Sequence, residues 1–346
     1  MCFRQNLNSF RRRKSIAFLL SISTIFFVVS CSEKSSNSSL KVGRILMGTL
    51  VEVTVIGRQN QLKESAEAAL TEIKRVEDLT SFHKESDLNR INNNAGHSPT
   101  KVDPELVSLI QRSLAISELT GGAFDPTIGP LSRLWNFSGP EGPRLPDESE
   151  IKEARKKVNW RKVEIIPDKN EVFLLEEGMA LDLGGIAKGY ALNRAEEILK
   201  AKGVMAALLN AGGDIMAFGG KADGTPWKIG IQDPGDKGRI EAVVNVETGA
   251  VFTSGDYERV LEKDGKQYHH ILDPSTGYPA SGFKSVTIVA PDGFRADGFS
   301  AAVFVLGPDK AQLFLGKHPK ISCLMVDQAG KIEIYPESPS VFHLRN

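Results

Sequence analysis

The sequence predicts an α+β fold with mainly antiparallel sheet, and three observations carry that prediction. Strand-like segments pair locally through short turns, the helical segments do not alternate strictly with them, and no fixed-period repeat or clean boundary splits the chain once its leading segment is set aside. The 346 residues are 41% hydrophobic and 25% charged, a globular composition that excludes whole-chain disorder. A chain of this length buries roughly three quarters of its unfolded surface, enough for one large domain or two interlocked ones.

The first 30 residues read as an address. The basic cluster Arg11 to Lys14 precedes a 14-residue apolar run, Ile16 to Val29, interrupted only by Ser21, Ser23 and Thr24, and Cys31 follows. The run is shorter than the ~20 apolar residues that span a bilayer, which disfavours a permanent transmembrane anchor. The pattern resembles a bacterial lipobox, with Val28 where that motif usually has Leu. It implies a signal over residues 1–30 and a lipid on Cys31 facing the periplasm, on the inner or the outer membrane; the alternative is a simple secreted protein. Removing the segment takes away five basic residues and no acidic ones, leaving 38 basic against 43 acidic groups, a net charge of −5. That balance provides no general electrostatic reason to bind nucleic acid. Residues 31–41, including SEKSSNSS, read as a polar tether, and one domain is expected over 42–346.

Each later element has its own signal. From Leu46 to Ile56, Val51, Val53 and Val55 alternate with Glu52 and Thr54, a half-buried strand. Leu62, Ala66, Ala69, Ile73 and Val76 follow at spacings of four and three, an amphipathic helix. A second helix is expected from Asp103, with Pro104 in its first turn, to Gly121 and Gly122. Asp147 and Glu150 form a helix-start pair for a third, whose charged run KEARKK is a solvated face. Val163–Ile166 and Glu171–Leu175 flank a turn at residues 167–170, a hairpin. A helix is expected from about Lys188 to Lys202, ended by Gly203. Strands follow between Val204 and Val289, then a helical pair near Ala301 and Lys310 and a closing hairpin around Asp327 to Gly330. With Cys2 in the signal and Cys31 lipidated, Cys323 alone remains, in a strand-like apolar stretch, so no intramolecular disulfide or cysteine-based zinc site is available.

Glycines and polar residues gather in a few loops. LDLGGIAKGYA, Leu181 to Ala191, sets two glycines between Asp182 and Lys188 at a helix start: a ligand cradle or a plain helix-entry turn, but neither a P-loop nor GxGxxG. LNAGGD at Leu209 reads as a strand-end turn. TGGAFDPTIG, Thr120 to Gly129, carries Phe124 and Asp125 in a way a turn alone does not explain. In YHHILDPSTGYPASG the adjacent histidines point to opposite faces of a strand, so at most one serves a given site, and each taken alone is more often structural than catalytic. HExxH is absent, which disfavours zinc. Asp297 in RADGFSAA is either a helix-start charge or a hard-metal carboxylate.

Together, MGT at Met47, SFHKESDLNRIN at Ser81, GGAFDPTIGPL at Gly121, LDLGGIAKGYA, LNAGGD, TSGDYER at Thr253, HHILDPSTGYP and ADGFSAA at Ala296 resemble the ApbE family, the FAD:protein FMN transferases, from Met47 to Gly307. The resemblance implies two interlocked α+β lobes, related to the T-fold, around a FAD cleft with Mg²⁺ on the diphosphate. It assigns FAD contacts to Met47, Phe82, Ala123, Phe124, Asp125, Asp182, Lys188 and Ile271. It assigns the metal to the Gly185 carbonyl, the Asp297 carboxylate and a group four residues beyond, which in many members is Thr and here is Ala301. His270 matches the general base that would take the proton of an acceptor Thr or Ser hydroxyl while AMP leaves. Acceptors in the family carry a D-G-x-x-[ST]-G-A-T-like motif and belong to exported or membrane redox complexes. The rival readings are a Mg²⁺-dependent FAD diphosphatase and a non-catalytic FAD-binding lipoprotein.

Overall fold

The computed structural model describes residues 38–139, 141–337 and 341–345. The expected signal and the lipid-bearing Cys31 lie outside the described residues. β1 (Ser38–Leu46) and β2 (Thr49–Gly57) form a hairpin paired along its whole length, from Ser38 opposite Gly57 to Leu46 opposite Thr49. Its two-residue turn, Met47 and Gly48, has φ of 52° and 74°, the primed geometry that matches strand twist. Two expectations are corrected here. The polar tether does not reach residue 41, because Ser38–Lys41 already belong to β1; backbone pairing with β2 orders residues whose side chains carry little apolar signal. The strand expected from Leu46 starts at Thr49, since Leu46 ends the preceding strand.

α1 (Gln59–Leu79) buries Leu62, Ala66, Ala69, Ile73 and Val76, the predicted stripe. The short α2 (Asp87–Asn93), capped by Ser86, and β3 (Thr100–Lys101) carry too few apolar residues to have been foreseen. α3 (Pro104–Leu119) begins at the Asp103 cap, whose carboxylate accepts the Glu105 N–H, and gives way to Gly121 and Gly122 at positive φ. α4 (Gly129–Trp135) begins at the last residue of the Thr120–Gly129 stretch and has no counterpart among the expected elements, and α5 (Glu148–Arg155) carries the predicted Asp147/Glu150 capping box. β4 (Val163–Ile166) and β5 (Glu171–Leu174) make the expected hairpin.

α6 (Gly184–Ala201) opens at the first glycine of its loop, four residues ahead of the Lys188 start expected from sequence. Glycines have low helix propensity, but here packing decides. The remaining strands are β6 (Ala206–Ala211), β7 (Asp214–Phe218), β8 (Trp227–Gln232), β9 (Ile240–Val246), β10 (Gly249–Gly255), β11 (Val260–Lys263), β12 (Lys266–His269) and β13 (Phe283–Ala290). α7 (Gly293–Leu315) breaks at Gly307, φ 70°, just before Pro308, into two helical stretches, the pair expected from sequence. β14 (Ser322–Asp327), β15 (Ile332–Tyr335) and β16 (Phe342–Leu344) close the chain, with β14 and β15 forming the predicted hairpin.

Eight strands form one sheet in the order β1-β2-β6-β7-β10-β13-β14-β15, every neighbouring pair antiparallel. One face meets α1, α6 and α7, burying Val51, Val53, Val55, Ile73, Leu192, Phe252 and Phe304 in the main core. On the other face Ile215, Val251 and Leu324 pack on the three-stranded sheet β16-β9-β8. The two lobes thus share the central sheet. A third, small core of Leu131, Trp135, Ile151 and Leu272 joins α4 and α5 to the segment after β12. Cys323 is a free, buried thiol in β14, and burial raises its pKa.

Candidate active site

The site is built where α6 and α7 cross through backbone. A Cβ on Gly189 would lie 2.1 Å from the Gly293 carbonyl oxygen and 2.8 Å from the Asp297 Cβ, and one on Gly293 would lie 2.9 Å from the Gly189 oxygen. That approach lets the Gly189 N–H donate to Asp297 Oδ2 at 2.8 Å across 108 residues of sequence. Gly189→Ala is therefore expected to destabilise by about 3 kcal/mol, the upper part of the overpacking range, because the obstacle is backbone that cannot rotate away. Denaturant unfolding measures this, and an unchanged midpoint would refute it.

The i→i−4 pattern of a helix aims the Gly189 amide at the Gly185 carbonyl. With Asp297 drawing on the same donor, that carbonyl keeps accepting capacity. Asp297 is buried, its carboxyl pKa is raised by that burial, and Lys188 pulls it back down. Among the described residues Asp297 has no ion-pair partner within 4.0 Å. Lys188 is spent on Asp214 Oδ2, and Asp214 Oδ1 accepts the Thr253 N–H at 3.1 Å. Burial opposes the Lys188 ammonium, but Asp214 and Asp297 outweigh it and hold the lysine charged. Among the described residues no three His, Cys, Asp or Glu side chains gather as a metal nest. The donors here are one buried carboxylate and a carbonyl, a set that suits a hard cation also held by substrate oxygens. Ala301, one turn beyond Asp297, is partly buried and offers no side-chain donor.

His269 and His270 divide as the strand alternation requires. His269 Nε2 donates to the Ala280 carbonyl at 2.9 Å, its Nδ1 accepts the Ile271 N–H at 3.3 Å, and its ring meets Phe304 edge-on at 5.5 Å. It is a packing residue. His270, just past β12, has a buried Nδ1 with no hydrogen-bond partner, while its backbone N–H donates to the Arg259 carbonyl at 3.2 Å. Burial, with the nearby Arg259, His269 and Lys188, pushes its pKa down to about 3. The segment after it is pinned by Trp135 Nε1, which donates to the Gly277 carbonyl at 2.9 Å.

The other expected residues take distinct places. Phe124 lies against Gly185, 3.4 Å from where a Cβ would be, and Ala123 is partly buried beside it. Asp125 braces its own loop: Oδ1 accepts from the Thr127 N–H and hydroxyl at 2.8 and 2.6 Å, and Oδ2 from the Trp160 N–H at 3.2 Å. Asp182 Oδ1 accepts the Gly184 N–H at 2.8 Å, and the field of Asp182 reaches Arg133, whose guanidinium lies 5.1 Å over the Phe82 ring. The Met47 N–H donates to Glu77 Oε1 at 3.0 Å, and the Ile271 carbonyl accepts the Ala280 N–H at 2.9 Å. Lys188 ties Asp297 and His270 electrostatically, whereas Phe82 and Asp182 meet through Arg133. Asp214, Glu258 and Arg259, which the sequence reading did not single out, also surround Lys188 and His270. Their only signal was their position in LNAGGD and TSGDYER.

A buried carboxylate, a charged lysine and a histidine whose Nδ1 has no partner, gathered at a helix crossing, are the groups of an enzyme site suited to an anionic substrate. A family model described as ApbE family matches residues 47–325. The FAD:protein FMN transferase of Treponema pallidum is 35% identical over 317 residues, covering 86% of this chain and 87% of the relative. One from Klebsiella pneumoniae is 33% identical over 275 residues, 77% and 78% of the two chains. Among solved structures, the ApbE protein of Thermotoga maritima superposes with a TM-score of 0.81 at 40% identity, covering 86% of this chain and 96% of that one. The flavin transferase ApbE of Vibrio cholerae gives 0.78 at 26%, covering 86% and 97%. The chain belongs to the ApbE family.

Proposed function

We infer that the protein transfers the FMN half of FAD to a Thr or Ser hydroxyl of an acceptor protein. The observation that carries this reading is His270: a neutral imidazole with no side-chain hydrogen bond among the described residues, beside two cations. The acceptor oxygen attacks the FMN phosphorus, the bond from that phosphorus to the AMP oxygen breaks, and AMP leaves with the electron pair. The hydroxyl proton passes to His270. In the free site burial above all, with Arg259 and Lys188 adding to it, depresses the imidazole's basicity; a diphosphate between these charges would offset the part that the two cations contribute and so raise its proton affinity when the proton arrives.

The Asp297 carboxylate and the Gly185 carbonyl would hold Mg²⁺ on the diphosphate, with Ala301 contributing at most its backbone. Mg²⁺ so placed supplies charge neutralisation for phosphoryl transfer. Phe124, against Gly185, and Ala123 would border the flavin nucleotide, with Met47, Phe82, Asp182, Lys188 and Ile271 around it; Asp125 would keep their loop in shape. Acceptors would carry the D-G-x-x-[ST]-G-A-T-like motif. Mass spectrometry of a Thr-containing acceptor peptide incubated with FAD, Mg²⁺ and the protein tests the reading. An adduct of FMN minus water, with AMP, supports it; free FMN and AMP without an adduct would mean a diphosphatase, and bound but intact FAD a carrier.

The reading extends to a lipid on Cys31 that holds the protein at the periplasmic side of a membrane, supported by the basic cluster, short apolar run and cysteine in that order. No described helix is long and apolar enough to cross a membrane. Cys31→Ser is expected to move the protein from the membrane to the soluble fraction on cell fractionation. Unchanged membrane association would refute the lipid anchor.

A further inference from the structure

Arg259, between β10 and β11, lies where three separate segments meet. Its Nη1 donates to Ser138 Oγ at 2.6 Å, from the loop after α4. Its Nη2 lies 3.8 Å from where a Cβ on Gly48 would be, in the β1–β2 turn. Its carbonyl accepts the His270 N–H. One residue therefore touches the turn that contains Met47 and the strand end that carries the imidazole.

The charges around the site are unevenly compensated. Lys188 is paired with Asp214, and Arg133 stacks on Phe82 within the field of Asp182. Arg259 has no carboxylate within 4.0 Å among the described residues, although Glu258 lies within its field; its side-chain hydrogen-bond partner is a neutral hydroxyl. A guanidinium has five N–H donors in a planar fork, and Ser138 takes one of them while fixing the direction of the rest. Such a group, held but not neutralised, is a receptor for phosphate oxygens. Its field also reaches His270, where it helps keep the imidazole neutral.

We propose that Arg259 is a further binding residue of the site, gripping a phosphate oxygen of the FAD diphosphate beside His270. The proposal rests on the FMN-transfer reading above. A transferring phosphoryl group gathers charge on its oxygens and those of the leaving group, and Arg259 is a cation beside His270 with no carboxylate paired to it within 4.0 Å among the described residues.

The test uses the full chain with Mg²⁺ and compares wild type, Arg259→Gln and Arg259→Lys for binding of FAD and of riboflavin, which lacks phosphate, by flavin fluorescence quenching. Arg259→Gln is expected to weaken FAD by about 10- to 100-fold, the worth of a hydrogen bond to a charged group, with riboflavin affinity unchanged. Arg259→Lys should recover part of the loss, and the salt dependence of FAD binding should be shallower in the Gln variant. Unchanged FAD affinity in Arg259→Gln overturns the proposal, as does an equal loss for FAD and riboflavin, which would make Arg259 a structural strut. A rise in acceptor KM with FAD affinity intact also overturns it and places Arg259 on the acceptor. Wild type that binds FAD but labels no acceptor sinks the transfer reading alone; wild type that binds no FAD sinks both.

Discussion

His270→Ala is expected to bind FAD as tightly as the wild type and to attach FMN to an acceptor about 10²- to 10⁴-fold more slowly, the usual worth of a general base. The separation follows from the structure, since among the described residues the imidazole makes no hydrogen bond and its loss therefore breaks none, while the backbone bond to Arg259 remains. His269→Ala is the control with the opposite profile. It removes the bond to the Ala280 carbonyl and the edge contact with Phe304, so it should lower stability while leaving the rate per folded molecule close to wild type. In-gel flavin fluorescence measures labelling, and a separate FAD titration measures binding. Wild-type labelling by His270→Ala would remove the base from the mechanism, and lost FAD binding would make His270 a ligand contact.

Asp297 should give the second large effect, and the choice of substitution matters. Alanine would remove the buried oxygen that accepts from the Gly189 N–H, a loss of stability separate from any metal chemistry. Asp297→Asn keeps an acceptor for that amide and removes only the charge. The Asn variant should fold and bind FAD without Mg²⁺ as the wild type does, yet lose Mg²⁺-dependent turnover by about 10²-fold or more, above what even outer-shell changes cost at metal sites. Calorimetric titration of FAD with and without Mg²⁺ should show the Mg²⁺ effect in the wild type and none in the variant. Equal Mg²⁺-dependent turnover in the two proteins would take Asp297 out of the metal site.

Local patterns made much of the architecture legible. The α1 stripe, the Asp147/Glu150 capping box and the β4–β5 hairpin each depend on residues within one turn or one hairpin of one another. β1 was not legible, because what orders Ser38–Lys41 is backbone pairing with a neighbour rather than their own side chains. The start of α6 was misplaced for a related reason: propensity argues against Gly184 and Gly185, and contacts from outside the helix, the Asp182 carboxylate on the Gly184 N–H and Phe124 against Gly185, hold its first turn. In the site, the alternation of His269 and His270 is a property of adjacent residues and could be read directly. The Lys188–Asp214 pair spans 26 residues and the Arg259–Ser138 bond 121, and no local rule reaches that far. Motif resemblance marked the segments that hold Asp214 and Arg259, but only their juxtaposition shows which side chains in them matter.

The Gly189–Gly293 crossing also divides the site into a part that substitution can adjust and a part that it cannot. At the Gly189–Gly293 contact itself peptide group meets peptide group, so neither glycine offers a side chain to lengthen, shorten or recharge, while Ile186, Tyr190 and Asn193 of α6 meet α7 around it. Gradual change in metal preference, substrate affinity or rate has to come from the surrounding positions: Ala301 one turn along α7, Asp214 at the start of β7, and Glu258 and Arg259 on the approach to β11. A hydroxyl introduced at Ala301 would alter the surroundings of the proposed Mg²⁺ without disturbing the helix contact, whereas any change at the crossing is felt by the core first. Divergence within such a scaffold is channelled to its rim, and positions there are where relatives with different appetites for metal or acceptor should part company.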